Sequence, residues 1–354
     1  MTPARNDSKP TLATIAEAVG VSRMTVSNAY NRPDQLSRAL REKILATAAE
    51  LGYSGPNPIA RTLSRGETGS IGLVLDYPLT AALTDAATQQ LLHGVAAGLE
   101  ERALGLSLVP QMRGREPALV QQALVDGFIV YCTPEDDPRL MTVYDRNLPY
   151  VLVDYEPRSG RRTVGIDDRG AARATAEHLV SLGHRSFGIV LGGDETNPTG
   201  RAAEAASDRY VGIERLGGWG EALQAGGVDW DAVPIGTADG FVRDTGRRAA
   251  SMLLDRADRP TAIIALSDEL ALGVLDAAAE RGIDVPTDLS VAGFDDIPEA
   301  ALSTPKLTTV RQPHDRKGSE AVRLLLEGKT DESVVLPTEL VVRASTAPRK
   351  ESSP

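Results

Sequence analysis

The chain has 354 residues, 42% hydrophobic and 25% charged, with a formal net charge of −11. That length exceeds one ordinary domain, and those fractions are globular values that permit a sizeable core. No apolar run reaches the length of a membrane-spanning helix, and the opening MTPARNDSKP lacks the apolar stretch of a secretory signal. The one cysteine, Cys132, leaves no internal disulfide and no cysteine-based zinc site. The protein is therefore expected to be cytoplasmic, with no membrane partner, no metal and no cofactor.

The charge is unevenly spread. Residues 1–65 hold nine Lys/Arg against five Asp/Glu, a net of +4, which leaves −15 for the remainder. A small basic head on an acidic body points to a nucleic-acid partner for the head alone. Within the head, Thr11 is placed to cap a helix carrying Leu12, Ile15, Ala16 and Val19 on one face. Gly20 supplies a tight turn. Ser22 caps a second helix, roughly Arg23 to Tyr30, with Val26 and Ala29 toward the first helix and Val21 at the turn. Ser37 caps a third, with Leu40, Ile44, Leu45, Ala48 and Leu51 inward and Gly52 ending it.

Three short helices with a glycine turn between the first two make a helix-turn-helix unit. Arg23, Met24, Ser27 and Asn28 fall at i, i+1, i+4 and i+5 and share the outward face of the second helix. Asn pairs well with adenine, Arg with guanine, and Met can touch a thymine methyl, so these four are the base-reading candidates. Thr11, Ser22, Thr25 and Asn31, with Arg32, suit phosphate contact, which positions without specifying sequence. The plainer alternative is a trihelical bundle with a solvated polar face.

Residues 54–68 join head to body. Pro56 and Pro58 stiffen the segment, and Asn57 can cap a short helix with Pro58 at its first position. Ile59, Ala60 and Leu63 give that helix an apolar stripe beside Arg61 and Arg65. It is too short to hold alone, so it is expected to form only beside a second copy and DNA; the alternative is a flexible tether.

From residue 69 to 345, β-rich runs (SIGLVL at 70–75, LSLVP, GFIVY, YVLVD, TVGI, FGIVL, AIIAL, LSVAGF) alternate with helical stretches at 88–102, 170–182, 245–256 and 269–281. That alternation predicts βαβ units with parallel sheets, and the length predicts two lobes with a binding cleft at the strands' carboxyl ends. Asp76 and Tyr77 end the first strand and so face that cleft. No phosphate-binding glycine loop opens a helix. His93, His178, His184 and His314 form no metal-spaced pair, and no Ser/His/Asp order accompanies a nucleophile elbow. No catalytic residue is assigned; His178 and His184 read as structural caps at a helix end. The tail APRKESSP is polar and expected to be disordered. It carries no leucine heptads, which favours a dimer over a coiled-coil tetramer.

Two stretches of the head, TLATIAEAVGVSRMTVSNAYN and LREKILATAAELGY, resemble the opening of the lac repressor (LacI/GalR) family of bacterial transcription regulators nearly residue for residue. VGIDDRGAARATAEHLVSLGHR resembles that family's lobe-crossing segment, and SDELALGVLDAAAERGIDVPTDLSVAGFDDIPEAALSTPKLTTVRQP its C-terminal signature. The resemblance covers roughly residues 11–345. It implies an N-terminal all-α helix-turn-helix domain (1–55), a hinge helix or linker (56–67), and an α/β two-lobed periplasmic-binding-protein-like effector and dimerisation core (68–345). A disordered tail (346–354) would follow.

The family's hinge pattern matches Pro56, Asn57, Ala60, Arg61 and Leu63, with Thr62 in place of Ser, and implies that Ala60 and Leu63 enter the minor groove. Ser54 and Gly55 stand between Tyr53 and Pro56, where the family commonly has one residue. Carried over by position, Arg215 grips the effector and Asp295 accepts its hydroxyls. Ser267 stands where Asn is frequent, and Phe241 stacks on the ligand. Arg215 reads alternatively as a lobe-packing ion pair and Phe241 as core. Asp268 is expected to cap its helix, and Asp296 to lie at the surface or at a helix start. An arginine fork and a carboxylate on opposite walls suit a polyol, and an aromatic face suits a sugar ring. The implied function is a homodimeric transcription regulator, most often a repressor, that binds operator DNA under control of a sugar effector. The rivals are a solute-binding receptor, which would need an export signal and no head, and a sugar-processing enzyme, which would need a paired acid and base in the cleft.

Overall fold

A computed structural model of the chain describes residues 10–55, 66–112, 116–193, 209–329 and 331–350. It divides into two compact units, 1–68 and 69–354.

In the first unit, α1 (Leu12–Val19), α2 (Arg23–Asn31) and α3 (Arg38–Glu50) each begin at the expected cap. Thr11 and Thr14 satisfy each other's backbone N–H, Ser22 accepts from the Thr25 N–H, and Ser37 from the Leu40 N–H, so each helix has one orphan donor satisfied at its start. Gly20 takes φ 78°, a conformation that a Cβ would strain. Ile15, Ala16, Val19, Val26, Ala29, Ile44 and Ala48 form the buried core. Leu45 is only half-buried, and Leu51, expected inward, is 43% exposed, because it follows the last helical turn as the C-cap. The expected hinge with Ala60 and Leu63 lies outside the described residues.

In the second unit, β1 (Ser70–Leu75), β2 (Gly105–Val109), β3 (Phe128–Tyr131), β4 (Tyr150–Val153), β5 (Thr163–Ile166) and β11 (Ser333–Leu336) form a parallel sheet in the order β11-β5-β4-β3-β1-β2. A second parallel sheet, β7-β6-β8-β9, comprises β6 (Phe187–Gly193), β7 (Ile235–Asp239), β8 (Ala262–Ala265) and β9 (Ser290–Ala292). The central strands are apolar throughout because both faces are covered. A short helix α4 (Leu79–Ala82) follows β1.

Alternate residues of the first sheet serve different layers. Ile71, Leu73 and Leu75 pack with Leu91, Val95 and Leu99 of α5 (Ala86–Glu100) and Ala321 and Val322 of the C-terminal helix His314–Glu327. Val74, Val130 and Leu152 pack with Val120 of α6 (Glu116–Gln122) and Leu140 and Val143 of α7 (Pro138–Asp145). The second sheet is sandwiched likewise. On one face lie α8 (Asp168–Ser181) and α9 (Tyr210–Ala225); on the other lie α10 (Arg243–Leu254) and α11 (Asp268–Glu280). After α12 (Pro298–Leu302), β10 (Thr309–Arg311) pairs antiparallel with β12 (Glu339–Val341), and the helix His314–Glu327, α13, returns to the first lobe. The chain thus crosses between lobes after β5, before α13 and between β11 and β12.

Sequence reading left out the strands β7, β10, β11 and β12 and the helices α6, α7, α9 and α13, although α13 does carry its apolar residues on one face. These strands are three to five residues long, too few for a period to show. Two other expectations are corrected. His178 and His184 do not cap their helix. His178 Nε2 lies 3.1 Å from Thr346 Oγ1, and His184 lies 3.0 Å from Thr261 Oγ1 and 3.1 Å from the Ala347 carbonyl. They clamp the C-terminal segment, so residues 346–350 are not a disordered tail: Ala347 and Arg349 donate backbone N–H groups to Ser290 Oγ and the Leu182 carbonyl.

Candidate functional site

Parallel strands of both sheets deliver residues at or just past their carboxyl ends to one cleft between the two lobes. Asp76 follows β1, Cys132 follows β3, Asp154 follows β4, Asp239 ends β7, Leu266 follows β8 and Asp295 follows β9, and all line a cavity of about 1210 Å³. Asp76, Tyr77, Arg215, Phe241, Ser267 and Asp295, the six expected effector residues, all line it. Cys132 (φ 50°), Asp154 (φ 64°) and Asp295 (φ 124°) hold a backbone conformation that L-residues avoid, at a cost of order 1–3 kcal/mol each that the packed surroundings must offset.

A polar chain crosses the cleft floor. Lys317 of α13, fully buried, donates to Asp154 Oδ1 at 2.6 Å and to Gln312 Oε1; the Gln312 amide donates to Asp295 Oδ1. Asp295 lies 4.0 Å from Arg215, whose Nε donates to Asp168 at 2.8 Å and whose Nη1 donates to the Leu266 carbonyl at 2.8 Å. The Arg215 guanidinium also sits 3.6 Å from the Phe294 ring centre. Arg215 is therefore both a cleft-lining cation and a lobe-packing ion pair; the two readings are not alternatives. Burial holds the Asp168 carboxyl above its usual range despite Arg215.

The mouth is bridged as well. Arg209, at the head of α9 in the second lobe, donates Nε to Asp76 Oδ2 at 2.9 Å across to the first lobe, and its guanidinium lies 5.0 Å from the Phe241 ring centre. Fully buried Arg139 reaches the other Asp76 oxygen at 2.7 Å. Burial pushes the Cys132 thiol up to about 12 and the Tyr77 phenol well above its ordinary value, so both stay protonated at neutral pH.

Ser267 caps α11 by accepting from the Leu270 N–H at 3.4 Å. The expectation that Asp268 is the cap is corrected: its buried carboxylate turns back to accept from the Ile297 N–H at 3.0 Å and Thr309 Oγ1 at 2.6 Å, bracing the turn that carries Asp295. Asp296, expected at the surface or at a helix start, stands just before the Ile297 cap of α12, and Arg311 and Arg343 both donate to it. Arg209, Lys317, Gln312 and Asp154 were missed in the sequence. Each sits in a segment that reads as polar surface or strand end, and only the lobe crossings bring them together.

In the head, the outward face of α2 carries Arg23, Met24, Ser27 and Asn28. Met24 is 69% exposed; the Asn28 amide donates to Gln35 at 3.2 Å and the Asn31 amide to Ser27 at 3.2 Å. Thr25 is 2.8 Å from Ser22 at the helix start.

Comparison with known proteins bears on both units. Residues 11–57 match "Bacterial regulatory proteins, lacI family", and residues 176–346 match "Periplasmic binding protein-like domain". Over 329 residues, 90% of this chain and 91% of the other, the protein is 43% identical to the HTH-type transcriptional regulator Rv3575c of Mycobacterium tuberculosis. This protein belongs to the lacI family of bacterial regulatory proteins. It is 37% identical to the HTH-type transcriptional regulator IpsA of Corynebacterium glutamicum, over 90% of each chain. The lac repressor dimer bound to operator and the anti-inducer ONPF superposes with a TM-score of 0.75 at 26% identity, covering 96% of this chain and 100% of that one. A structure described as a transcriptional regulator CelR–cellobiose complex gives a TM-score of 0.67 at 31% identity, covering 95% and 99%.

As a lacI-family regulator, the protein couples a helix-turn-helix DNA-binding domain to an effector-binding domain and is not an enzyme. No described helix is long and apolar enough to cross a membrane.

Proposed function

We propose that the protein is a cytoplasmic, homodimeric repressor that releases or grips its operator according to whether a sugar occupies the cleft. Arg23, Met24, Ser27 and Asn28 read base edges from α2, while Thr11, Ser22, Thr25 and Asn31 hold phosphates. Ala60 and Leu63 enter the minor groove from the hinge. Asp76, Tyr77, Arg215, Phe241, Ser267 and Asp295 hold the effector. One observation carries this reading: six residues spread from position 76 to position 295 line one interlobe cavity whose walls offer carboxylates, guanidinium N–H groups and an aromatic face. That mixture of donors and acceptors suits vicinal hydroxyls, and the CelR–cellobiose neighbour supports a sugar.

The lobes are joined by discrete polar contacts, Asp76–Arg209 at the mouth and the Lys317–Gln312–Asp295 chain at the floor. A ligand that binds one lobe arrangement better than another shifts their equilibrium by its differential affinity and no more. In a dimer, that shift alters the spacing of the two heads. A gel-shift titration of purified protein on its own upstream DNA, with and without neutral sugars, tests the reading. We expect a sequence-specific complex whose affinity changes with one sugar, and an Asn28→Ala variant that loses specificity while staying folded. Absence of any complex at low salt overturns it.

A further inference from the structure

His314 is the first residue of α13 and is 2% exposed, yet neither of its ring nitrogens has a hydrogen-bond partner. Its Nε2 stops 3.6 Å from Asp295 Oδ1, about 0.8 Å beyond a charge-assisted hydrogen bond. That gap spans the lobes. α13 packs on the first sheet through Ala321 and Val322, and its Asp315 carbonyl lies so close to Gly94 of α5 that no Cβ fits between, so His314 moves with the first lobe. Asp295 follows β9 of the second sheet. Its other neighbours gather on the same oxygen: the Gln312 amide donates to Oδ1, and Arg215 Nη1 lies 4.0 Å from it. Among the described residues no hydrogen bond reaches Oδ2, which is left for the cleft that Asp295 lines. The other described ionisable groups near the ring are held elsewhere or exposed. Lys317 is held by Asp154, Asp296 by Arg311 and Arg343, and Asp268 by the Ile297 N–H, while Asp315 and Arg316 are exposed. Asp85, just before α5 on the first lobe, is the exception. Burial raises its carboxyl above the usual range, and hydrogen bonds from Thr88 and a positive charge on His314 oppose that.

We propose that His314 is a positioning residue for Asp295: effector binding closes the gap between them, and the imidazole takes up one proton from solvent as it closes. The inference rests on the reading that Asp295 accepts effector hydroxyls, and it adds a proton to that step. A neutral imidazole presents one N–H and one lone pair, and here neither has a partner. An imidazolium presents two N–H groups, and the carboxylates beside it, Asp295 and Asp85, can only accept. Charge on a buried ring must be offset by a carboxylate at hydrogen-bonding distance. An effector bonded to Asp295 of the second lobe and to Asp76 and Tyr77 of the first draws the lobes together. About 0.8 Å of that movement along the gap joins His314 to Asp295. The new bond fixes Oδ1 against α13 and leaves Oδ2 aimed at the effector hydroxyl. Binding and protonation then favour each other. A proton gained on binding makes affinity highest where the imidazole is already charged, and affinity falls as pH rises through the range in which imidazole loses its proton.

Calorimetric titration of the full-length protein with glucose and with cellobiose, in two buffers of different ionisation enthalpy, counts the protons exchanged on binding. We expect proton uptake near neutral pH and an affinity that falls about fivefold or more between about pH 6 and pH 8. His314→Gln keeps an N–H but cannot titrate, so it should show neither the uptake nor the slope, with circular dichroism to establish folding. Proton release, no proton exchange in the wild type, or uptake that persists in folded His314→Gln overturns the proposal. The pairing is also read without any sugar. The chain has four histidines, and the His314 imidazole signal in NMR is the one lost in His314→Gln. We expect the proton affinity read from that signal to fall about tenfold in Asp295→Asn, while the other three histidines titrate as before. Asp295→Ser serves as a second variant, and the wild-type calorimetry still decides if neither folds. A His314 titration that is unmoved in a folded Asp295 variant overturns the proposal whether or not a sugar binds. Failure of every neutral sugar to bind or to change operator affinity sinks the sugar reading and leaves the NMR result legible.

Discussion

Lys317 is 0% exposed, with its ammonium 2.6 Å from the Asp154 carboxylate and hydrogen-bonded to Gln312. In sequence it stands in HDRKGSEAVRLLLE, a stretch of charged and apolar residues in which one lysine looks like any solvated lysine. Only the return of α13 to the first lobe buries it. Removing one partner of a buried ion pair costs about 3–5 kcal/mol, because the other charge is left in low dielectric. Lys317→Met should therefore lower the unfolding free energy of the body by that order in urea. Adding Asp154→Asn should recover most of it. If the double variant is as unstable as the single one, packing rather than charge is what Lys317 supplies. Asp268 carries a related lesson. An acidic residue beside a helix start reads as a cap, yet Ser267 takes that role and Asp268 ties α11 to the turn at 295–297.

At the scale of elements, helices meet through glycines. A Cβ at Gly94 of α5 would lie 1.8 Å from the Asp315 carbonyl oxygen, and one at Gly318 of α13 would lie 2.4 Å from the Leu91 carbonyl oxygen. The same close approach joins α10 to α11, where a Cβ on Gly246 would meet the Leu270 carbonyl at 2.1 Å. Alanine in a helix is favoured over glycine by about 1 kcal/mol. Backbone against backbone cannot yield like a flexible side chain, so overpacking costs about 1–3 kcal/mol or more and decides the sign. Gly94→Ala should lower the melting temperature of the body, measured by circular dichroism, despite its gain in helix propensity. A rise would mean that α5 and α13 separate at little cost. Sequence reading located α5 to within two residues from its apolar spacing but offered no reason for its glycines, because that reason lies on another helix.

At the scale of the molecule, the head and the body each have their own core, Ile15 to Ala48 in one and the two sandwiched sheets in the other. Their charges are opposite, +4 for residues 1–65 and −15 for the rest. Phosphate neutralisation by Lys and Arg releases counterions, so operator affinity should fall steeply and log-linearly with salt. Residues 69–354 alone should melt as the body does in the full chain while binding no DNA. A body that fails to fold without its head would show that the two units depend on each other.

The amino-acid sequence by itself determined what is local. Caps at Thr11, Ser22 and Ser37, the turn at Gly20, the outward face of α2 and the alternation of apolar runs with amphipathic helices each depend on residues a few positions apart. Positions carried over from the family resemblance placed Arg215, Phe241, Ser267 and Asp295 on what proved to be one cavity wall or another. Tertiary structure alone decided which charges neutralise which. Asp76 and Arg209 are separated by 133 positions, Asp154 and Lys317 by 163. An ion pair depends on a few ångströms of distance, and three crossings between lobes set those distances.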